Sequence, residues 1–126
     1  MPFTQYLNHG VTQRSGQRGQ THSSSIPQKK GYKILNCNWR HINYEVDIIA
    51  FDKNFLVFVE VKTRSSCHYG FPDESVKYRK EKMLIDAAEI YLKQKKLYNE
   101  DRFDIVSVVK NQTEEKLYHI VNAFQG

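Results

Sequence analysis

The stretch Leu56–Arg64, LVFVEVKTR, decides how this chain is read. Its first half, Leu56-Val57-Phe58-Val59, is an unbroken apolar run of the kind found in strands buried on both faces. Glu60 and Lys62 then flank Val61, and because successive strand residues alternate faces, both charges project from one side. A core-like strand thus ends in a carboxylate and an ammonium on the same face.

Working upstream, YEVDIIAF (Tyr44–Phe51) has the pattern of a second strand, and Asp52, Lys53 and Asn54 form a short turn into the first stretch. The two strands are expected to pair antiparallel. With Phe51 opposite Asn54, Asp47 falls opposite Phe58 and diagonal to Glu60, about 7–8 Å away between backbones. Glu45 then lies directly across from Glu60. YKILNCNW (Tyr32–Trp39) is a further strand, with Tyr32, Ile34 and Leu35 toward the core.

Downstream, HYGFPDES (His68–Ser75) is a loop marked by Gly and Pro, and helical spacing follows. Val76, Met83, Leu84, Ala87, Ala88, Tyr91 and Leu92 fall on one helical face, with Ser75 as N-cap. Lys77, Arg79, Lys82, Glu89, Lys93 and Lys96 occupy the other side. FDIVSVV and KLYHIVNAF supply two last strands. Residues 1–30, rich in Gln, Ser and Gly, form a flexible arm or a weak first helix ending near Pro27, and residues 31–126 form one folded domain. The expected fold class is α/β, a mixed central sheet flanked by helix.

A length of 126 residues allows a single domain with one core. The formal net charge of +5 favours an anionic partner, nucleic acid first. The two cysteines, Cys37 and Cys67, form no CxxC or Cys/His group, which argues against a disulfide scaffold or a structural zinc. No apolar run approaches the roughly 20 residues of a membrane span, and no secretory leader is legible, so a cytoplasmic protein without a membrane partner is expected.

Two readings fit the acidic patch. In one, Asp47, Glu60 and Lys62 are cross-strand ion pairs on a solvated sheet face. In the other, carboxylates on a rigid sheet hold Mg²⁺ or Mn²⁺, hard ions that prefer oxygen ligands. The metal then activates water and polarises a phosphoryl oxygen, with a lysine beside it to stabilise developing charge.

Asp47, a spacer, then Glu60-Val61-Lys62 resembles the PD-(D/E)xK signature of restriction-endonuclease-like nucleases and Holliday-junction resolvases. GYKILNCNWR, EVDIIAFD, LVFVEVKTRSS, YGFPDESV, AAEIYL, RFDIVSV and HIVNAF together resemble the YraN-like family of bacterial proteins, over about residues 31–124. The resemblance implies an α-β-β-β-α-β core with Asp47, Glu60 and Lys62 as the active-site residues and Asp47 and Glu60 as metal ligands. Glu45 also matches a family position. Gly16 and Gly19 match the family's first helix, whereas Gln20 stands where that family has a metal-binding glutamate, and SSSIP replaces its helix-forming stretch. Gln20 offers a carbonyl oxygen without charge.

A nuclease of this kind is expected to act on DNA, branched DNA included, and resolvase-like relatives suggest a homodimer. Arg64, Lys77, Arg79, Lys80 and Lys82 are the candidate phosphate contacts, with Lys80 favoured because the resemblance also places a lysine there. Alternative expectations are a binding module that has lost hydrolysis, and an interaction or structural domain. Trp39, Tyr44 and Phe103 are read as core or core edge, Arg102 and Asp104 as braces for the sheet, and His41 and His119 have no evident partner.

Overall fold

The computed structural model describes residues 11–14, 30–65 and 74–126. They form β1 (Val11–Arg14), β2 (Lys33–His41), β3 (Tyr44–Asp52), β4 (Phe55–Ser65), α1 (Glu74–Lys95), β5 (Glu100–Lys110) and β6 (Glu114–Phe124). The strands make one six-stranded mixed sheet in the order β1-β6-β5-β4-β3-β2. Beside the expected elements, Val11–Arg14 adds a short edge strand antiparallel to β6.

β4 occupies the middle because its first half can be buried on both faces. Val57 and Val59 pack with Ile48, Ala50, Val106, Val108 and Leu117 on one side of the sheet. Leu56 and Phe58 pack on the other side with Ile49, Phe103 and the helical residues Leu84, Ala87, Ala88 and Tyr91. Each large side chain removed from water this way contributes roughly 1.5–3 kcal/mol. Tyr91 sets its ring edge-on against both Phe58 and Trp39, and its hydroxyl donates to Asn36 Oδ1 at 2.7 Å. The anticipated apolar face of α1 is therefore the face that meets the sheet. The helix begins at Glu74, so Ser75 lies inside its first turn and is not the N-cap.

α1 also explains the topology. β4 and β5 are parallel, and parallel neighbours need a crossover, which the helix supplies. The ladder runs without a break from Phe55↔Glu100 to Ser65↔Lys110.

The β3–β4 register differs from the expected one. The turn contains Lys53 and Asn54 alone, with Lys53 in the left-handed region at φ 57°, and it pairs Asp52 with Phe55 and Phe51 with Leu56. A two-residue turn is favoured because its twist matches that of the flanking strands. Asp47 is therefore not opposite Phe58, whose partner is Ile49, and Glu45 is not set opposite Glu60 by a continuous ladder.

Among the described residues no helix is long and apolar enough to cross a membrane. Cys37 is exposed and unbridged.

Candidate functional site

The site begins where two strands part. β3 and β4 are paired from Asp52↔Phe55 to Ile48↔Val59, and there the ladder stops. β4 continues to Ser65 on the support of β5. Past Val59 it therefore keeps its rigidity while its β3 side is open.

A local twist of β3 produces the opening. Ile48 packs in the cluster on one side of the sheet, whereas Val46 packs in the cluster on the helix side. Residues two apart in a regular strand share a face, so the alternation is broken at Asp47. On the neighbouring strand Asn38 has φ 55°, the left-handed conformation that Asn tolerates better than most residues, between the Cys37↔Ile48 and Trp39↔Val46 pairs. The Asp47 carboxylate turns toward β4 and accepts a hydrogen bond from the Val61 N–H at 2.8 Å. That donor comes from the stretch of β4 where β3 no longer pairs, and it satisfies a backbone group that would otherwise be left without a strand partner.

Glu60 reaches the same place from β4. It follows Leu56 and Phe58 on the helix side, while Val61 packs toward the other face. Glu45, Asp47, Glu60, Val61, Lys80, Met83 and Leu84 line one cavity of about 330 Å³ between the parting strands and α1. Lys80 Nζ lies 3.7 Å from Glu60 Oε2, with the Glu60 side chain only 14% exposed and that of Lys80 57% exposed. Burial raises the Asp47 pKa above the usual carboxylate value; the Val61 N–H opposes this, Glu45 adds to it and Lys80 pulls it down.

Of the candidate residues, the structure brings Asp47, Glu60 and Lys80 together. Glu45 borders the cavity, but its carboxylate faces Arg40 at 3.4 Å, and both side chains are largely exposed. Lys62 continues the Glu60 face of β4, its backbone paired with Ser107. Lys77 and Arg79 are exposed on α1, and Lys82 pairs with Asp86 one turn on, so these three stand outside the cavity lining. Arg64 lies on β4 with its backbone paired to Val109. Gln20, Gly16, Gly19, the SSSIP stretch, Cys67 and His68 lie outside the described residues.

Among the described residues that line the cavity, the anionic donors are carboxylate oxygens, with no thiolate or imidazole. Among the described residues no group of three or more His, Cys, Asp or Glu side chains is placed to hold a metal. Two carboxylates on neighbouring strands suit Mg²⁺ or Mn²⁺, which keep several waters and need few protein ligands. They do not suit zinc, which takes Cys and His in tetrahedral sets.

A second polar centre lies on the opposite face of the sheet, beside Tyr32. Arg102 Nε donates to Asp104 Oδ1 at 3.0 Å, Tyr32 Oη donates to Asp104 Oδ2 at 2.9 Å, and His119 Nε2 lies 2.8 Å from the same oxygen. The Asn122 N–H donates to Oδ1 at 3.0 Å, and Arg102 also reaches Tyr32 Oη and, at 2.7 Å, Asp52. Arg102 and Asp104 thus brace the sheet as expected. His119 has a partner that the sequence reading did not name; the cue was the alternation of Glu115, Leu117 and His119, all buried, with Lys116, Tyr118 and Ile120. His41, likewise without an expected partner, stacks on Trp39 and contacts Gln94.

The model of the uncharacterised protein family UPF0102 matches residues 21–108. A UPF0102 protein of Flavobacterium psychrophilum is 45% identical over 109 residues, covering 86% of this chain and 92% of that one. Another, of Clostridium acetobutylicum, is 41% identical over 120 residues, covering 93% and 98%. The similarity spans β2 to β5 and with them every described residue of the cavity, and on that ground the chain belongs to UPF0102, the YraN-like family.

Proposed function

We propose that the chain adopts the α-β-β-β-α-β arrangement of restriction-endonuclease-like nucleases and hydrolyses phosphodiester bonds in DNA, branched DNA included, with Mg²⁺ or Mn²⁺. The observation that carries this reading is the meeting of Asp47 and Glu60 at one cavity, at the point where β3 leaves β4. The Val61 N–H and Lys80 each occupy one of these carboxylates only in part, and two acids brought together at a strand opening offer a cation oxygen ligands.

Asp47 and Glu60 would hold the ion. When bound, it supplies Lewis acidity toward a phosphoryl oxygen and a more acidic water. The Val61 N–H keeps the Asp47 carboxylate oriented. Lys62 serves to orient the attacking water and to stabilise negative charge gathering on the phosphate. Glu45 is a secondary acid at the rim. Lys77, Arg79, Lys80 and Lys82 on α1 and Arg64 on β4 supply phosphate contacts, which position a duplex without reading its sequence. A homodimer would present two such sites to two-fold DNA, and a cytoplasmic location would give access to it.

Gln20 supports a second reading. It stands where the resemblance places a metal-binding glutamate, and a neutral ligand lowers affinity for a divalent ion. The chain would then bind nucleic acid without cutting it.

Purified protein incubated with Mg²⁺ or Mn²⁺ and either linear or four-way-junction DNA tests both. Cleavage that falls by roughly 10²–10³-fold in Lys62→Ala supports the nuclease. Salt-sensitive binding without cleavage supports the binding module. Neither cleavage nor binding in folded protein sinks both.

A further inference from the structure

Among the described residues, Lys80 is the one cation of α1 that lines the cavity, and its ammonium lies 3.7 Å from Glu60. Its position has two parts with different mobility. The backbone is fixed, because Leu84, one turn on, is buried against the sheet at 2% exposure. The side chain beyond it is long, and more than half exposed. An ammonium on such a stem is a rigidly tethered charge with a freely moving tip.

Resting on the metal-site reading above, we propose that Lys80 is a displaceable counter-ion of that site: its ammonium and a divalent cation compete for Glu60. The 3.7 Å contact puts a positive charge next to a carboxylate that is itself only 14% exposed. An ion bound by Glu60 and Asp47 meets that charge at close range, and like charges repel, so Lys80 must swing outward as the ion enters. The swing is cheap because water solvates the ammonium at the cavity mouth. It leaves the charge on α1, one turn from Lys77, where a phosphate would meet it. The Glu60 charge is thereby offset in the folded protein, and metal loading and exposure of a phosphate-binding lysine become one event.

The test is Mn²⁺ binding in the absence of nucleic acid, by calorimetry or by the loss of free-ion EPR signal, on wild type, Lys80→Met and Lys93→Met. Lys93 is exposed on the same helix and outside the cavity lining, so its removal measures the general effect of one charge. Expected is a roughly fivefold tighter Kd in Lys80→Met, with Lys93→Met near wild type. In wild type, Mn²⁺ should also raise the acetylation rate of Lys80, read by mass spectrometry, while that of Lys77 stays constant. Equal or weaker binding in Lys80→Met, an equal gain in Lys93→Met, or an Mn²⁺-independent Lys80 acetylation rate overturns the proposal and leaves the metal site standing. Absence of Mn²⁺ binding in all three proteins removes the metal site and the proposal together.

Discussion

Asp47 and Asp104 sit on the two strands that flank β4, and burial works against the charge of both. Their surroundings then diverge. Arg102, Tyr32, His119 and the Asn122 N–H all turn donors on Asp104, and these outweigh the burial penalty and hold its pKa down at about 2. Asp47 receives the Val61 N–H, and that donor with a more distant Lys80 does not offset burial, so its pKa is raised. Burial is therefore not what separates a structural acid from a candidate ligand. The supply of donors does. Asp104 has its lone pairs committed to the protein, whereas Asp47 borders a cavity and retains capacity for a cation.

The sharpest way to break this comparison is to neutralise the saturated acid. Asp104→Asn takes from the buried Arg102 guanidinium one of its two carboxylate partners, Asp52 being the other, and a loss of about 3–5 kcal/mol in urea unfolding at neutral pH is expected. The pH dependence has a definite sign. A carboxyl whose folded pKa lies below its ordinary 3.8 contributes stability above that value and loses it as pH falls toward about 2. Wild type should lose about 2 kcal/mol over that acid range on this account. Asp104→Asn should lose less, so the two unfolding curves converge in acid. Parallel curves from pH 7 to pH 2 would show that Asp104 is not the acid that matters.

Asp47→Asn is the matching change on the other side, with a smaller and opposite signature. A carboxyl with a raised folded pKa favours folding below its unfolded value, and that contribution disappears as pH rises through the folded pKa. Removing the charge should cost less than about 1 kcal/mol at pH 7, because relief of desolvation offsets a weaker bond from Val61. Mn²⁺ binding should nevertheless fall by at least about tenfold. A loss of stability as large as that of Asp104→Asn would mean Asp47 is a strut, and the contrast between the two acids would collapse.

How far this contrast was legible in the sequence depends on the range of the interaction. Alternation within β4 put Glu60 and Lys62 on one face, and helical spacing identified Leu84, Ala87, Ala88 and Tyr91 as the buried row of α1, because both patterns are local. The β3–β4 register differs from the expected pairing by which two residues turn the hairpin, Lys53 and Asn54 in place of Asp52 and Lys53, and Lys53 takes positive φ as the first of them. The break of alternation at Asp47 was not legible, since it arises with the twist of β2 at Asn38 and with the loss of pairing to β4. Nor was the Lys80–Glu60 contact, which exists only because α1 packs across the sheet. His119 escaped because its partner is two strand positions off the residue it pairs with, Val106.

Glu45 gives the smallest effect and tests where the site ends. It belongs to the acidic group by sequence, and it borders the cavity, yet its carboxylate is drawn 3.4 Å from Arg40 with 48% of its side chain exposed. Exposed pairs of this kind contribute about 0.2–1 kcal/mol because solvent screens them and both chains lose rotamer freedom. Glu45→Gln should therefore change the free energy of unfolding by less than about 1 kcal/mol. Its charge still raises the pKa of Asp47, so removing it makes that carboxyl more acidic and hence easier to ionise, while a cation in the cavity loses one distant attraction. These two consequences oppose each other for Mn²⁺ affinity, and the net change should stay well below that of Asp47→Asn in the same titration. A loss equal to that of Asp47→Asn would put Glu45 among the ligands, and would require its side chain to leave Arg40 and turn inward when the ion binds.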